Sequence, residues 1–207
     1  LNEAQERLTM SCLMEIDDKG KIITYKISPS VIKTTYRMTY SNVNKMIHQG
    51  QEGHREALEK YSKIADSIEV AVELHEILET MRKDRGMIEF DESEAKIILD
   101  DEGQPIEIVK RDRDTAERMI ESFMLMANET VALEKQKKKL PSLYRVHEAP
   151  KEKAFAKLME AAAEAGFSLS SDSHQAINFF ANEIKGTSFE KALTYQLRHT
   201  MSTAVYS

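Results

Sequence analysis

Residues 112–132 constrain the fold most, because they combine a helix-start signal with a long helical repeat of apolar side chains. Asp112 or Asp114 can cap the helix, and Glu117 follows Asp114 by three residues, as in a capping box. The apolar residues that recur at helical spacing are Ala116, Met119, Ile120, Phe123, Met124, Ala127 and Val131. The stretch therefore predicts one long amphipathic helix that packs this stripe into a core.

Two polar residues border that predicted apolar stripe. Glu121 and Asn128 lie seven residues apart, nearly two helical turns, so they share one face of the helix. A carboxylate and an amide in this arrangement can line a ligand site. The spacing alone is more typical of a solvated flank, and it leaves both interpretations open.

The rest of the chain predicts short strands in hairpins and several further helices. Residues 8–16 and 22–28 alternate like strands around the turn DDKG, with Pro29 closing the pair. Thr39 or Ser41 can cap a helix that runs through Ile47. The further predicted segments are a strand at 87–91, a hairpin at 95–99 and 106–109, an extended segment at 143–146, and helices at 55–83, 151–165, 171–184 and 188–201. Together they indicate a helix-rich α+β fold with short antiparallel strands.

Composition narrows the class of protein. The 207 residues are 41% hydrophobic and 31% charged, and the mean hydropathy is −0.49, which is typical of a soluble protein with a real core. No stretch approaches the ~20 apolar residues of a membrane helix, and no secretory signal is evident. One cysteine, Cys12, excludes an internal disulfide and fits a reducing cytoplasm. The net charge of −6 argues against a general nucleic-acid surface, although a channel can be locally basic.

Motifs for common chemistries are missing from the sequence. There is no P-loop and no dinucleotide-binding glycine pattern, so we expect no nucleotide cofactor. There is no nucleophile elbow or H-E-x-x-H helix. The acidic groups at Asp17–Asp18 and at residues 100–102 fall in predicted turns, where aspartate is favoured for backbone reasons, and we expect neither to bind a metal. His75, alone on a mostly apolar face, is more typical of a packed core residue than of a ligand.

Several blocks of the sequence resemble one enzyme family. IESFMLMANETVA and LYRVHEAP are similar to the helix-and-strand core of the ribonuclease R and ribonuclease II exoribonucleases, in their large catalytic (RNB) domain. MEIDDKGKIITYKISPSVIKTTYRMTYSNVNKMI resembles the family's strand pair with the loop and helix that follow. RGMIEFDESEAKIILDDEGQPIEIVKRDRDTAERMIE resembles its next hairpin. The blocks occur in the family's order over residues 7–166.

The resemblance implies an activity and its cofactor. Members hydrolyse RNA processively from a single-stranded 3′ end to 5′-nucleotides, with Mg²⁺ held by clustered aspartates. The family's aspartate cluster and arginine motif do not occur here, so we expect residues 1–207 to be a central part of the RNB domain. Such a part would contact RNA without binding metal or supplying a catalytic residue, and it would be inactive alone. The parent enzyme would be cytoplasmic and bacterial; the sequence predicts no oligomeric state.

The resemblance also implies three RNA-contacting residues: Tyr40, Phe90 and Glu121. On spacing alone Tyr40 is more typical of a core or interface tyrosine, whereas the family's aromatic at this motif contacts the 3′-terminal nucleotide. Phe90 is either a core residue or the family's base-stacking aromatic. Glu121 would recognise the 3′ ribose together with Tyr40, with Ile120 and Met124 holding the helix in the core. The alternative is a non-catalytic RNA-binding or protein-interaction module, and a third possibility is a helical scaffold without an RNA role.

Overall fold

The computed structural model describes residues 2–88, 94–111 and 113–207, except for the side chains of Glu94, Lys96 and Arg111. The predicted helix-rich α+β class is confirmed. The chain forms two compact units. Unit 1 comprises residues 1–81 and 92–138, and unit 2 comprises residues 82–91 and 139–207. Among the described residues, no helix has both the length and the apolar character needed to cross a bilayer.

Unit 1 begins with a two-stranded antiparallel ribbon of β1 (Glu6–Ile16) and β2 (Ile22–Lys33). The prediction that Pro29 closes this pair is wrong, because Pro29 lies within β2 opposite Met10. Proline cannot donate a ladder hydrogen bond, but each strand of a two-stranded ribbon has an outer edge where no donor is needed. Tyr25 on β2 donates a hydrogen bond of 2.6 Å to Glu134, which fixes the ribbon against the long helix described below.

Three short elements follow the ribbon: α1 (Tyr40–Ile47), α2 (His54–Lys60) and a 3₁₀ turn (Ser62–Ile64). α3 (Ala65–Asp84) comes next, so the single helix predicted over residues 55–83 is wrong. The break falls at Tyr61, which leaves helical geometry at φ −109° and ψ 24°. Tyr61 is buried and packs edge-on against Tyr36, with ring centroids 5.2 Å apart. This packing overrides the continuous helical pattern of the sequence.

A second hairpin pairs β3 (Glu94–Leu99) with β4 (Pro105–Arg111), as predicted. The long helix α4 (Thr115–Lys137) follows, capped by Asp114 through a 2.7 Å hydrogen bond from the Thr115 N–H. It continues beyond residue 132 into the lysine-rich stretch and ends at Lys137. Its buried residues are Ala116, Met119, Ser122, Met126 and Thr130.

The predicted apolar stripe of α4 is therefore only partly correct. Ile120 and Met124, which we expected to hold the helix in the core, are exposed in this chain. Two small polar residues, Ser122 and Thr130, are buried instead. Burial of a hydroxyl costs little when it is hydrogen-bonded, and both hydroxyls have partners: His75 at 2.9 Å and the Met126 carbonyl at 2.7 Å.

Unit 2 is built mainly from α5 (Glu152–Glu164), α6 (His174–Ile184) and α7 (Glu190–Thr200), close to the predicted bounds. Its core is apolar and comprises Leu158, Ala162, Leu169, Ile177, Phe180, Ile184, Leu193 and Leu197. A short pair joins β5 (Arg145–Val146) to β6 (Val205–Tyr206). The strand predicted at 87–91 is wrong at Met87 and Ile88, which have no regular structure; its remaining residues lie outside the described ones. Ile88 packs against this core, and the Met87 carbonyl accepts a hydrogen bond from Asn178.

Candidate functional site

Two of the three predicted site residues lie on α1 and α4 of unit 1, and a buried amide joins these two helices. Asn44 on α1 is 7% exposed. Its Oδ1 accepts a 2.8 Å hydrogen bond from the backbone N–H of Ala116, and its Nδ2 donates a 3.1 Å bond to Glu117 Oε2. Only an oxygen can accept from the Ala116 N–H, so these partners fix the orientation of the amide. The amide also satisfies one of the free N–H groups at the start of α4.

A second polar contact joins the same helices at their ends. His48, which caps the C-terminus of α1, places Nε2 2.8 Å from Oδ1 of Asp114. Partial burial tends to raise the pKa of Asp114. Hydrogen bonds from the Thr115 N–H and from His48, with the charge of a protonated His48, outweigh that effect and leave the pKa below its ordinary range. Both side chains are about 40% exposed, so this contact is weaker than the buried one.

These two contacts define the direction and register of the helix pair. His48 meets Asp114, and four residues earlier on α1 Asn44 meets Ala116 and Glu117, so the helices run antiparallel. One further turn along each helix is four residues, or about 6 Å. That step leads from Asn44 to Tyr40 and from Glu117 to Glu121. The register therefore predicts that Tyr40 and Glu121 are neighbours across the helix pair.

Tyr40 is the first residue of α1, and it is partly exposed. Thr39 caps the helix, because its hydroxyl accepts a 3.3 Å hydrogen bond from the Asn42 N–H, as predicted. Tyr40 is 43% exposed, in contrast to the buried Val43 and Met46 on the same helix. This exposure excludes the core position for Tyr40, whereas the interpretations as an interface tyrosine and as a nucleotide contact both stay predictions.

Glu121 lies on α4 beside the buried face. Its Oε2 is 3.2 Å from Nη1 of Arg113, and its side chain is 40% exposed. The acidic and basic groups are eight residues apart in the chain. Arg113 was not singled out from the sequence, since it precedes the helix cap and belongs to no pattern. Asn128, two turns further along α4, is exposed, as expected for a solvated flank.

Phe90, the third predicted RNA-contacting residue, lies outside the described residues. The prediction that its ring stacks on a base therefore stays a prediction.

The two acidic turns are stabilised in the same way, by hydrogen bonds from backbone N–H groups to the first aspartate of each turn. Asp17 Oδ1 accepts from the N–H groups of Lys19 and Lys21 at 3.0 and 2.8 Å. Asp100 Oδ1 accepts from Glu102 and Gln104 at the same two distances. The bond from the Lys21 N–H, with that from Lys19, lowers the pKa of Asp17 despite slight desolvation. The prediction of hairpin turns is confirmed, and each first aspartate is engaged by its own loop.

His75 occupies a buried position between α3 and α4, as expected for a core histidine. Its Nδ1 is 2.9 Å from Ser122 Oγ, and its Nε2 is 3.9 Å from Glu79. The order of carboxylate, imidazole and hydroxyl has the outline of a nucleophile triad. Ser122 is only 2% exposed, so a substrate has no access to its hydroxyl. The group joins the two helices.

Comparison with known proteins identifies the family. The RNB domain family matches residues 1–207. Ribonuclease R 2 of Lactococcus lactis is 90% identical over 207 residues, covering all of this chain and 31% of that protein. Ribonuclease R 1 of the same organism is 50% identical over the whole chain, which covers 25% of its length. The chain belongs to the RNB domain family, and it spans less than a third of these two curated relatives.

Solved structures agree with this assignment. The structure of Mycoplasma genitalium RNase R in complex with double-stranded RNA has a TM-score of 0.88 and 31% identity to this chain. The match covers 100% of this chain and 36% of that one. The same protein in complex with ribose-methylated single-stranded RNA gives a TM-score of 0.87, with coverage of 100% and 32%. The expected resemblance to the ribonuclease R family is thus confirmed.

Proposed function

We propose that this chain is the central part of the RNB catalytic domain of a 3′-to-5′ exoribonuclease, which hydrolyses RNA processively to 5′-nucleotides. The observation that supports this most strongly is the match of the RNB family to the whole chain, with relatives named Ribonuclease R at up to 90% identity. RNase R of M. genitalium, similar over the whole chain, forms complexes with single- and double-stranded RNA. The ligand proposed here is accordingly the single-stranded 3′ end of RNA, in the cytoplasm.

In this proposal Tyr40 and Glu121 form the wall that recognises the ribose at the 3′ end. A ribose 2′-hydroxyl can donate a hydrogen bond to the Glu121 carboxylate, and a deoxyribose has no such donor. Tyr40 adds an exposed ring and hydroxyl one helical step away on the neighbouring helix. A polar site built for a hydroxyl discriminates against a substrate that lacks it, because the carboxylate then loses its water without gaining a partner.

Arg113 supports the role proposed for Glu121. Its guanidinium holds the carboxylate at one position of α4 through the 3.2 Å contact. It also places a cation beside the carboxylate, where a phosphodiester backbone would otherwise be repelled. Glu121 can then accept a hydrogen bond from the 2′-hydroxyl while the neighbouring phosphate meets positive charge.

Phe90 is proposed to stack on a base of the bound RNA. Base–aromatic stacking contributes about 1–3 kcal/mol, whereas emptying a buried phenylalanine site costs about 3–5 kcal/mol of stability. In the full-length enzyme Phe90→Ala should change the length of the final product and leave the melting temperature nearly unaltered. A large fall in melting temperature would assign Phe90 to the core instead.

The chemistry implied by the family needs a metal ion, and the described residues do not fit one. In the part of the chain that the structure describes, no group of three or more His, Cys, Asp or Glu side chains could hold a metal. The described residues are therefore assigned no step of metal-assisted hydrolysis. The proposal places the Mg²⁺ ligands elsewhere in the polypeptide, and these residues bind and orient the RNA.

An assay of the full-length protein beside the isolated 207-residue chain tests this proposal. With 5′-labelled RNA and Mg²⁺, the full-length protein should shorten the RNA from its 3′ end and release 5′-mononucleotides. The isolated chain should release none. Absence of activity in the full-length protein, together with RNA binding, would instead favour a non-catalytic module. Metal-dependent cleavage by the isolated chain, abolished by Asp17→Ala with Asp18→Ala, would contradict the placement of the metal.

A further inference from the structure

The buried amide of Asn44 has no part in the RNA contacts proposed above, yet it lies at their base. It is separated from Tyr40 by one turn of α1, and its partner Glu117 is separated from Glu121 by one turn of α4. Each separation is about 6 Å along a helix axis. The amide bridge and the two site residues therefore lie on consecutive turns of the same two helices.

The other contacts between these helices are poorly suited to set that geometry. Val43 packs with Ala116 and Met119, but apolar packing has no direction and tolerates small shifts along the axis. The contact of His48 with Asp114 is half exposed. Among the contacts of the described residues, the Asn44 bridge is the one that combines burial, directional hydrogen bonds and two partners one residue apart on α4. A shift by one residue would separate its oxygen from the Ala116 N–H.

We propose that Asn44 is a positioning residue for sugar recognition: its bridge to Ala116 and Glu117 sets the spacing between Tyr40 and Glu121. This inference rests on the proposed function. Asn44 touches neither ligand nor substrate in this account; it acts through the register of the two helices. Loss of the bridge leaves the Tyr40 and Glu121 side chains themselves unchanged, but it misaligns them relative to a bound ribose.

Exchange of donor and acceptor across the bridge gives a sharp test in the full-length enzyme. Asn44→Asp keeps the acceptor for the Ala116 N–H and replaces the donor by a carboxylate facing Glu117. Glu117→Gln keeps the oxygen that accepts from Asn44. Combining the two changes restores the bond in reverse, because the glutamine amide donates to the new carboxylate. Asn128→Asp makes the same chemical change at an exposed position of α4 and serves as the matched control.

The measured quantity is the ratio of kcat/KM for an RNA oligonucleotide to that for the same oligonucleotide with deoxyribose at its 3′ end. Asn44→Asp should lower this preference about tenfold, and Glu117→Gln and Asn128→Asp should change it less than about twofold. The double variant should recover to within about threefold of the wild type. If Asn44 only stabilised the fold, Asn44→Asp would lower the melting temperature and leave the preference unchanged. A preference that falls and then recovers in the double variant therefore indicates a positioning role.

The outcomes separate this inference from the function on which it rests. If Tyr40→Ala and Glu121→Ala leave the preference unchanged, the proposed site is wrong and the inference is overturned with it. If those variants lower the preference while Asn44→Asp does not, or is not rescued by Glu117→Gln, only the role of Asn44 is overturned. Should Asn44→Asp fail to fold, Glu117→Ala at its half-buried position must still lower the preference for the inference to stand.

Discussion

The core of α5–α7 in unit 2 and the buried face of α4 in unit 1 are built on different principles. The former is aliphatic and aromatic, and Leu158, Phe180 and Leu197 are completely buried. The latter alternates apolar residues with hydroxyls, and its contacts include the bond of Ser122 to His75. Apolar packing stabilises unit 2 without directional constraints, whereas the α4 face also defines a register. Of the proposed site residues, Glu121 lies beside this face of α4, and Tyr40 lies on α1, which the hydrogen bonds of Asn44 join to α4.

The largest expected effect concerns the apolar core. Phe180→Ala should lower the free energy of unfolding by about 3–5 kcal/mol, because it leaves a cavity among fully buried neighbours. Phe179 is its neighbour on α6 but is 62% exposed, and Phe179→Ala should stay within about 0.5 kcal/mol. Urea denaturation of each variant measures the difference. Equal costs at the two positions would show that the core of unit 2 is assigned to the wrong face.

A smaller effect is expected where unit 1 buries a hydroxyl. Ser122→Ala deprives His75 Nδ1 of its 2.9 Å partner and should cost about 1–3 kcal/mol, although it removes a single oxygen. Asn128→Ala on the exposed side of α4 is the control, with little expected change. A double-mutant cycle with His75→Leu should reveal coupling between the two sites. Strictly additive costs would argue that the hydrogen bond contributes nothing to the contact.

The smallest effect is a dependence on acid pH at the half-exposed end of the helix pair. The pKa of Asp114 is lower in the folded protein, so the folded state binds fewer protons and the stabilisation is fully present above the ordinary aspartate pKa of about 3.9. It is lost as the pH falls through the depressed folded value. Asp114→Asn keeps a helix-capping side chain and should remove this part of the acid dependence. Melting curves from about pH 6 to pH 3 for both proteins test this, and identical slopes would contradict it.

The sequence was sufficient for the parts of the fold whose signals are local. Both hairpins and their DDKG and DDEG turns were predicted, since aspartate and glycine specify the turn through backbone bonds. Ile177, Phe180 and Ile184 recur at helical spacing within the helix predicted at 171–184, and all three are buried. The helix break at Tyr61 and the passage of β2 through Pro29 were missed. The break arises from packing against Tyr36, which no local pattern encodes, and the proline is accommodated at a ribbon edge.

The candidate site shows the same division. Tyr40 and Glu121 were singled out through resemblance; the structure shows that both are partly exposed, and their contact with RNA stays a prediction. Ile120 and Met124 were assigned to the core because the apolar pattern gives no sign that the hydroxyls of Ser122 and Thr130 are buried with hydrogen-bond partners. Asn44 was missed for a related reason: a buried amide is recognisable only when its partners are known, and both lie more than seventy residues away.

The sugar preference of Glu121→Ala in the full-length protein tests the proposed contact of this carboxylate with the 3′ ribose. If Glu121 accepts a hydrogen bond from the 2′-hydroxyl, the change should lower the RNA-over-deoxyribose ratio of kcat/KM roughly ten- to a hundredfold, as expected for a charged hydrogen bond. Asn128→Ala, on the same helix, should leave the ratio unchanged. An equal loss of activity on both substrates, or an unaltered ratio, would contradict the assignment of Glu121 to the ribose.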